Sequence, residues 1–342
     1  MRVMNVLYVR GHRARVSVQK DALIVADPDS GWTRVPLAAL EGIVLLGNGQ
    51  ISTQALAACV ERNIRVSSLR RGGQLRFAVG GPVSGNVHLR VAQLRRYEDA
   101  DARRTLSRTL VAGKLQNYRR LLKRWMWDAK GADKETLAIL HERVTGRIAS
   151  LPTAASGDAI RGVEGEGTRW YLEGLAVHLG DQEEEFRYLT RSRRPPRDPV
   201  NALLSFTYSL VLSEITGALD AVGLDPQIGF LHGVRSGRPS LALDILEEFR
   251  PAIADRFVVR LLKLKVISPS HFTYTLGGAC YLTDDGRKVF VGEYENSKDE
   301  MVSHRLLGKD VPRWVLPQVQ ATLMARHLRG DLPSYAPYLM DA

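Results

Sequence analysis

Cysteine is close to absent from this chain of 342 residues: only Cys59 and Cys280 occur, far apart and in apolar surroundings. Two such residues build no disulfide framework, and neither belongs to a metal-spaced pair. A cysteine zinc site is therefore excluded, and a reducing cytoplasm is the expected compartment. Long hydrophobic runs are missing too. No apolar stretch approaches the ~18 uninterrupted residues of a membrane helix, so no membrane span is expected. Residues 1–9 lack the apolar core and small-residue cleavage site of a signal peptide and read as a short strand. The chain has no P-loop, no dinucleotide fingerprint and no Gly-x-Ser-x-Gly elbow, which removes three large enzyme classes. Acidic residues are outnumbered: 37 Asp and Glu stand against 48 Lys and Arg, a formal charge of +11. A surplus of this size fits a polyanionic partner such as nucleic acid, although it also serves solubility.

The pattern of what is present divides the chain. Short apolar or alternating runs at 5–9, 15–18, 22–26, 33–36, 42–46 and 64–69, punctuated by glycine and polar residues, predict strands. One helix is predicted over 52–62. Glycines in Arg71-Gly-Gly-Gln74 mark a hairpin, and those in Val79-Gly-Gly-Pro-Val-Ser-Gly85 a linker. Beyond about residue 90, Leu106, Leu110, Leu115, Leu121 and Leu122 recur at helical spacing. Between them stand Arg103, Arg104, Lys114, Arg119, Arg120, Lys123 and Arg124, a long amphipathic helix with a basic outer face. Helical signals continue at 135–150, 158–179, 199–222, 240–250 and 313–328. The expected fold is α+β: a small β-rich domain over 1–80, a glycine-rich linker over 81–90, and a larger all-α domain over 91–342.

Three segments carry candidate chemistry. In Asp158-Ala-Ile-Arg-Gly-Val-Glu-Gly-Glu-Gly-Thr-Arg-Trp-Tyr171, Asp158 is the expected helix cap. Glu164 shares a face with Ile160, Gly167 and Tyr171, while Glu166 points the other way. A carboxylate on an apolar face must be paired, protonated or bound to a metal. The second segment ends an apolar run on His232, at the mouth of a glycine-rich loop carrying Arg235 and Arg238. The third, Ser240-Leu-Ala-Leu-Asp-Ile-Leu-Glu-Glu-Phe-Arg250, reads as a helix capped by Ser240 and stopped by Pro251. Asp244 and Glu247 share a face there, and Glu248 shares it as readily. The acids need neutralising, either by Arg235, Arg238 or Arg250 or by a metal ion. Carboxylates with one imidazole suit Mg²⁺ or Mn²⁺ better than zinc.

Gly162-Val-Glu-Gly165 followed by Arg169-Trp-Tyr171 resembles a motif of the CRISPR-associated integrases of the spacer-acquisition module, the Cas-one family. Asp198-Pro-Val-Asn-Ala-Leu-Leu-Ser205, Gly223-Leu-Asp-Pro226, Gly229-Phe-Leu-His232 and Arg238 to Pro251 are similar to that family's later blocks, in order. The resemblance covers most of the chain, with one departure: Glu166-Gly167-Thr168 stands where the family commonly has small residues. It implies that Glu164, His232 and Glu247 are catalytic metal ligands for Mg²⁺ or Mn²⁺, with Asp244 an assisting acid. It further implies an endonuclease and integrase that inserts prespacer duplexes into CRISPR repeat DNA by transesterification. The implied partners are a second copy of the chain, the Cas-two protein and a Cas-four nuclease. Arg191, Arg193, Arg194, Arg235 and Arg238 are expected to hold double-stranded DNA. The β-domain is expected to form the dimer interface, with Leu37, Leu40 and Val44 needing cover, and its pairing to fix the two catalytic domains in place. The competing readings are a metal-dependent repair nuclease without integrase activity, and a non-catalytic basic DNA-binding protein whose acids form structural ion pairs.

Overall fold

Alternation in the first eighty residues builds two sheets around a small core. The computed structural model describes residues 6–9, 13–28, 31–40, 42–46, 48–70, 75–80, 87–180, 182, 184–193 and 195–341. Strands β1 (Val6–Val9), β5 (Gly42–Leu46) and β7 (Arg65–Leu69) pair in parallel, and β8 (Leu75–Val79) joins β7 antiparallel. The second sheet runs in the order β4 (Gly31–Pro36), β3 (Ala22–Asp27), β2 (Arg15–Gln19) and β6 (Gln50–Ile51). Helix α1 (Thr53–Glu61) starts where the Ser52 side chain accepts the Ala55 N–H. The expected linker falls in its first six residues, 81–86, outside the described residues.

Strand β5 shows how the two units are joined. Its side chains alternate, so Ile43 and Leu45 enter the small core beside Val16, Leu23, Cys59 and Val66. Val44 and Leu46 enter the large helical core from the opposite face, with Leu69. A strand buried on both faces reads as a continuous apolar run, which Ile43-Val-Leu-Leu46 is. Polar contacts reinforce the seam: Arg65 pairs with Asp220, and buried Lys298, paired with Glu214 at 3.0 Å and Glu295 at 2.7 Å, donates to Tyr8 Oη of β1 at 3.3 Å. The β-unit is thus docked within its own chain. Leu37, Leu40 and Val44, expected to need cover from a second copy, are already buried there.

The remainder is mostly helical: α2 (Val87–Glu98), α3 (Ala100–Asp128), α4 (Gly131–Ser150), α5 (Gly157–His178), α6 (Pro199–Val222), α7 (Ser240–Phe249), α8 (Arg256–Lys263), α9 (Asp284–Asn296) and α10 (Leu316–Arg329). Two antiparallel hairpins, unexpected from the sequence, interrupt it: β9 (Phe272–Tyr274) with β10 (Cys280–Leu282), and β11 (Met301–His304) with β12 (Lys309–Pro312). By length and composition α6 is apolar enough to cross a membrane, but 61% of its most apolar window is buried in the centre of this unit.

Helices α3 and α5 approach closely because glycine allows it. Gly167 lies under Leu115 and Gly174 under Leu122, the two glycines and the two leucines each seven residues apart along their helices, and a Cβ at either glycine would overlap the leucine. The Gly174→Val protein is expected to lose on the order of 2 kcal/mol by overpacking, measured by urea denaturation.

Candidate catalytic site

Three helices and one loop converge on a single polar centre in this apolar unit. Helix α5 begins two residues earlier than expected: the Ser156 side chain, not Asp158, accepts the Ala159 N–H, and Asp158 instead pairs with Arg161 in the first turn. Helix α7 begins after Pro239, and the Ser240 hydroxyl donates to the Gly233 carbonyl rather than capping the helix. Pro251 does not stop the chain. A π-helical turn over Arg250–Asp255 carries it into α8, its wider hydrogen-bond spacing absorbing the missing proline N–H.

The loop after α6 rests on α7. Gly229 makes this possible, because a Cβ there would come within 2.6 Å of the Ser240 backbone. Asp244, fully buried, then collects the loop's backbone: its carboxylate accepts N–H groups from Phe230 at 2.5 Å, Leu231 at 3.1 Å and His232 at 2.8 Å. The same carboxylate holds His232 Nδ1 at 2.7 Å. His232 Nε2 is thereby turned toward Glu247, 3.9 Å from Oε1.

Glu247 is buried between two cations, with Arg250 Nε at 3.1 Å from Oε1 and Lys114 Nζ at 2.5 Å from Oε2. Burial alone would raise its carboxyl, but Arg250, Lys114 and His232 hold it well below the ordinary glutamate range. Glu164 binds the same Lys114 ammonium and accepts the Thr168 hydroxyl at 2.9 Å. Lys114 is itself 3% exposed. Burial works against its charge, and Glu247, Tyr118 and Glu164 outweigh that, keeping it protonated.

The structure therefore brings Glu164, His232, Asp244 and Glu247 together and separates their neighbours. Glu248 turns to the C-terminal segment, accepting from Tyr335 Oη at 2.8 Å, Gln320 Nε2 at 3.0 Å and the Tyr338 N–H at 2.8 Å. Glu166 faces outward to Arg147 at 2.7 Å. Glu166→Ala is accordingly expected to keep full activity and to lose less than about 1 kcal/mol of stability, checked by initial rate and melting temperature. Of the three arginines considered as counter-ions, Arg250 serves, while Arg235 and Arg238 form no ion pair with a described residue. The sequence reading missed Lys114, placed on the basic outer face of α3 but buried on its apolar stripe.

Among the described residues, no three His, Cys, Asp or Glu side chains stand close enough to hold an ion as they are arranged. The centre is nonetheless built for a cation. An ammonium sits between Glu164 and Glu247, and buried Glu247 Oε2 accepts no hydrogen bond of sound geometry. Two carboxylates and one imidazole match a hard divalent ion.

A cleft of about 330 Å³ opens beside this centre, lined in part by Tyr97, Arg103, Arg104, Arg161, Phe230 and Leu231. The expected DNA-contacting arginines are distributed unequally. Arg193 and Arg235 are exposed, Arg238 is half-buried, and Arg194 lies outside the described residues. Arg191 is turned inward: it donates to Asn201 Oδ1 at 2.5 Å and Ser205 Oγ at 2.9 Å, and stacks over Tyr208.

Comparison with known proteins bears on the whole chain. The family model described as "CRISPR associated protein Cas1" matches residues 7–296. The "CRISPR-associated endonuclease Cas1 1" of Chlorobaculum tepidum is 37% identical over 337 residues, 98% of each chain. A "Cas4/endonuclease Cas1 fusion" of Geobacter sulfurreducens is 36% identical over 97% of this chain and 60% of its own length. Among solved structures, a casposase bound to integration product superposes with a TM-score of 0.83 at 23% identity, covering 99% of this chain and 96% of that one. A Cas6-RT-Cas1–Cas2 complex gives 0.84 at 20% identity, over 99% of this chain and 36% of that one.

Proposed function

Because the chain belongs to the CRISPR-associated Cas1 family, we propose that it is a metal-dependent endonuclease and integrase that joins short duplexes to CRISPR repeat DNA by transesterification. The observation that carries this reading is the meeting of Glu164, Glu247 and His232 around one cationic centre at the edge of an arginine-lined cleft. These three side chains would hold Mg²⁺ or Mn²⁺. When bound, such an ion polarises a phosphoryl oxygen and makes an attacking hydroxyl more acidic.

The chain's own residues do the rest. Asp244 accepts a hydrogen bond from His232 Nδ1–H, which would fix the tautomer and leave the Nε2 lone pair for a metal ion. Thr168 and Lys114 fix the Glu164 carboxylate. Arg103 and Arg104 at the cleft, with Arg193, Arg235 and Arg238 on the loops, would seat phosphates without reading bases. Arg161 pairs with exposed Asp158, a pair weak enough for a phosphate to compete for.

The reading includes a homodimer and work in the cytoplasm. Strand β4 is a sheet edge with Trp32 71% exposed, a surface suited to a second copy. The Cas1–Cas2 complex among the similar structures and the Cas4–Cas1 fusion among the relatives support Cas2 and Cas4 as partners.

Affinity for duplex DNA is expected to fall about 10³-fold between 50 and 200 mM salt if some six phosphates are held. Anisotropy titrations over a salt series test this. Replacing Arg193, Arg235 and Arg238 with Gln should weaken all sequences alike and flatten the slope. A salt-independent affinity would remove the DNA reading.

A further inference from the structure

Lys114 is an anomaly on α3. A lysine on a long helix normally carries its ammonium out to water along its flexible stem. Here the ammonium is buried, facing Glu247 Oε2 at 2.5 Å, in contact with Glu164 Oε1, and 5.4 Å from the Tyr118 ring centroid. The two carboxylates that would hold a divalent ion therefore already share one internal cation, and Glu247 also holds Arg250. Buried charge without a partner is costly, so the two acids need that ammonium whenever no other cation is present. A divalent ion on the same oxygens would stand a few ångströms from the ammonium and repel it in a poorly screened site.

We propose that Lys114 is a resident counter-ion of the Glu164–Glu247 pair that competes with the divalent ion for the same carboxylates. It keeps the empty site folded and lowers the site's affinity for metal. Lys114 is a positioning residue in this scheme, and the proposal rests on the metal reading above.

The test uses the full-length protein. Mn²⁺ binding is measured by electron paramagnetic resonance titration, and melting temperatures are recorded in EDTA and in Mn²⁺, for the wild type, Lys114→Met and Lys114→Arg. Lys114→Met is expected to bind Mn²⁺ at least tenfold more tightly, to melt lower in EDTA, and to gain more from Mn²⁺ than the wild type. Lys114→Arg, which keeps the charge, is expected to stay within about threefold of wild-type affinity, since only the hydrogen-bond geometry changes. Should Lys114→Met not fold in EDTA, recovery of soluble protein on refolding in Mn²⁺ supports the proposal. Should it fold in neither, Lys114→Gln, neutral but able to donate, undergoes the same comparison and decides. Unchanged or weaker Mn²⁺ binding in the neutral variant, with no larger gain in melting temperature, overturns the exchange. Wild-type protein that takes up no Mn²⁺ overturns the metal reading instead.

Discussion

Glutamine at Glu164 or Glu247, or alanine at His232, is expected to lower cutting and joining of DNA by about three orders of magnitude. That corresponds to the several kcal/mol that a metal centre contributes to stabilising the charge on a reacting phosphate. DNA affinity should remain within about threefold of wild type, because phosphates are held by arginines and not by these acids. Glutamine is preferred to alanine at the acids for a physical reason. Glu247 lies between Lys114 and Arg250, and removing its side chain would take from buried Arg250 its only ion-pair partner among the described residues and leave Lys114 with Glu164 alone, at about 3–5 kcal/mol. Glu164, whose side chain keeps 25% of its exposure, is the cleaner position. Initial rates and anisotropy on the same preparations check the prediction, with melting temperatures to separate chemistry from unfolding. A Glu164→Gln protein with wild-type rates would remove this residue from the site.

The second large effect belongs to a residue that need not touch metal or DNA. Asparagine at Asp244 replaces one acceptor oxygen by an NH₂ group, which then faces backbone N–H donors of Phe230, Leu231 and His232. It also removes the charge that holds His232 Nδ1. Lost acceptors at buried donors cost about 1–3 kcal/mol each, so Asp244→Asn is expected to lose at least about 2 kcal/mol in urea denaturation. Losing the partner that orients a ligand histidine typically lowers activity 10–100-fold. The decisive comparison is a cycle with His232→Ala: the double variant should be no slower than His232→Ala alone, because Asp244 acts through His232. Rates that multiply would show that Asp244 contributes separately.

Much of this site was readable in the sequence. Helical spacing put Glu164 and Glu166 on opposite faces, and the structure gives Glu164 to the polar centre and Glu166 to Arg147. The strand pattern of residues 6–69 follows from alternation and glycine punctuation, features local to the chain. Other features depended on distant residues. Glu247 and Glu248 share the same helical argument, and only Gln320, Tyr335 and Tyr338, more than seventy positions away, draw Glu248 aside. Burial raises the Glu248 carboxyl to about 8, which suits a hydrogen-bonding anchor for the C-terminal segment.

Lys114 was readable but misread. It stands four residues from both Leu110 and Tyr118, on the buried stripe of α3, yet its place in a basic run suggested the outer face. Proline at 251 predicts a helix end, whereas a single π turn over Arg250–Asp255 lets the helix pass. The two hairpins, with strands of three and four residues, are too short for a period to declare itself. Arg191 sat in a basic loop that the sequence placed at the surface, and the Asn201 and Ser205 side chains of α6 draw it inward.

On the proposed function, one divalent-ion site built on Glu164, His232 and Glu247 joins DNA ends to a repeat. The most direct measurement incubates the full-length protein and its proposed Cas2 partner with a labelled short duplex bearing free 3′-hydroxyls and a repeat-containing target. Covalently joined strands are then resolved on a denaturing gel, with Mn²⁺ or with EDTA. Joined product is expected with wild type in Mn²⁺, none in EDTA, and none with Glu164→Gln in Mn²⁺. Joined product in EDTA, or undiminished joining by Glu164→Gln, would contradict the proposed function.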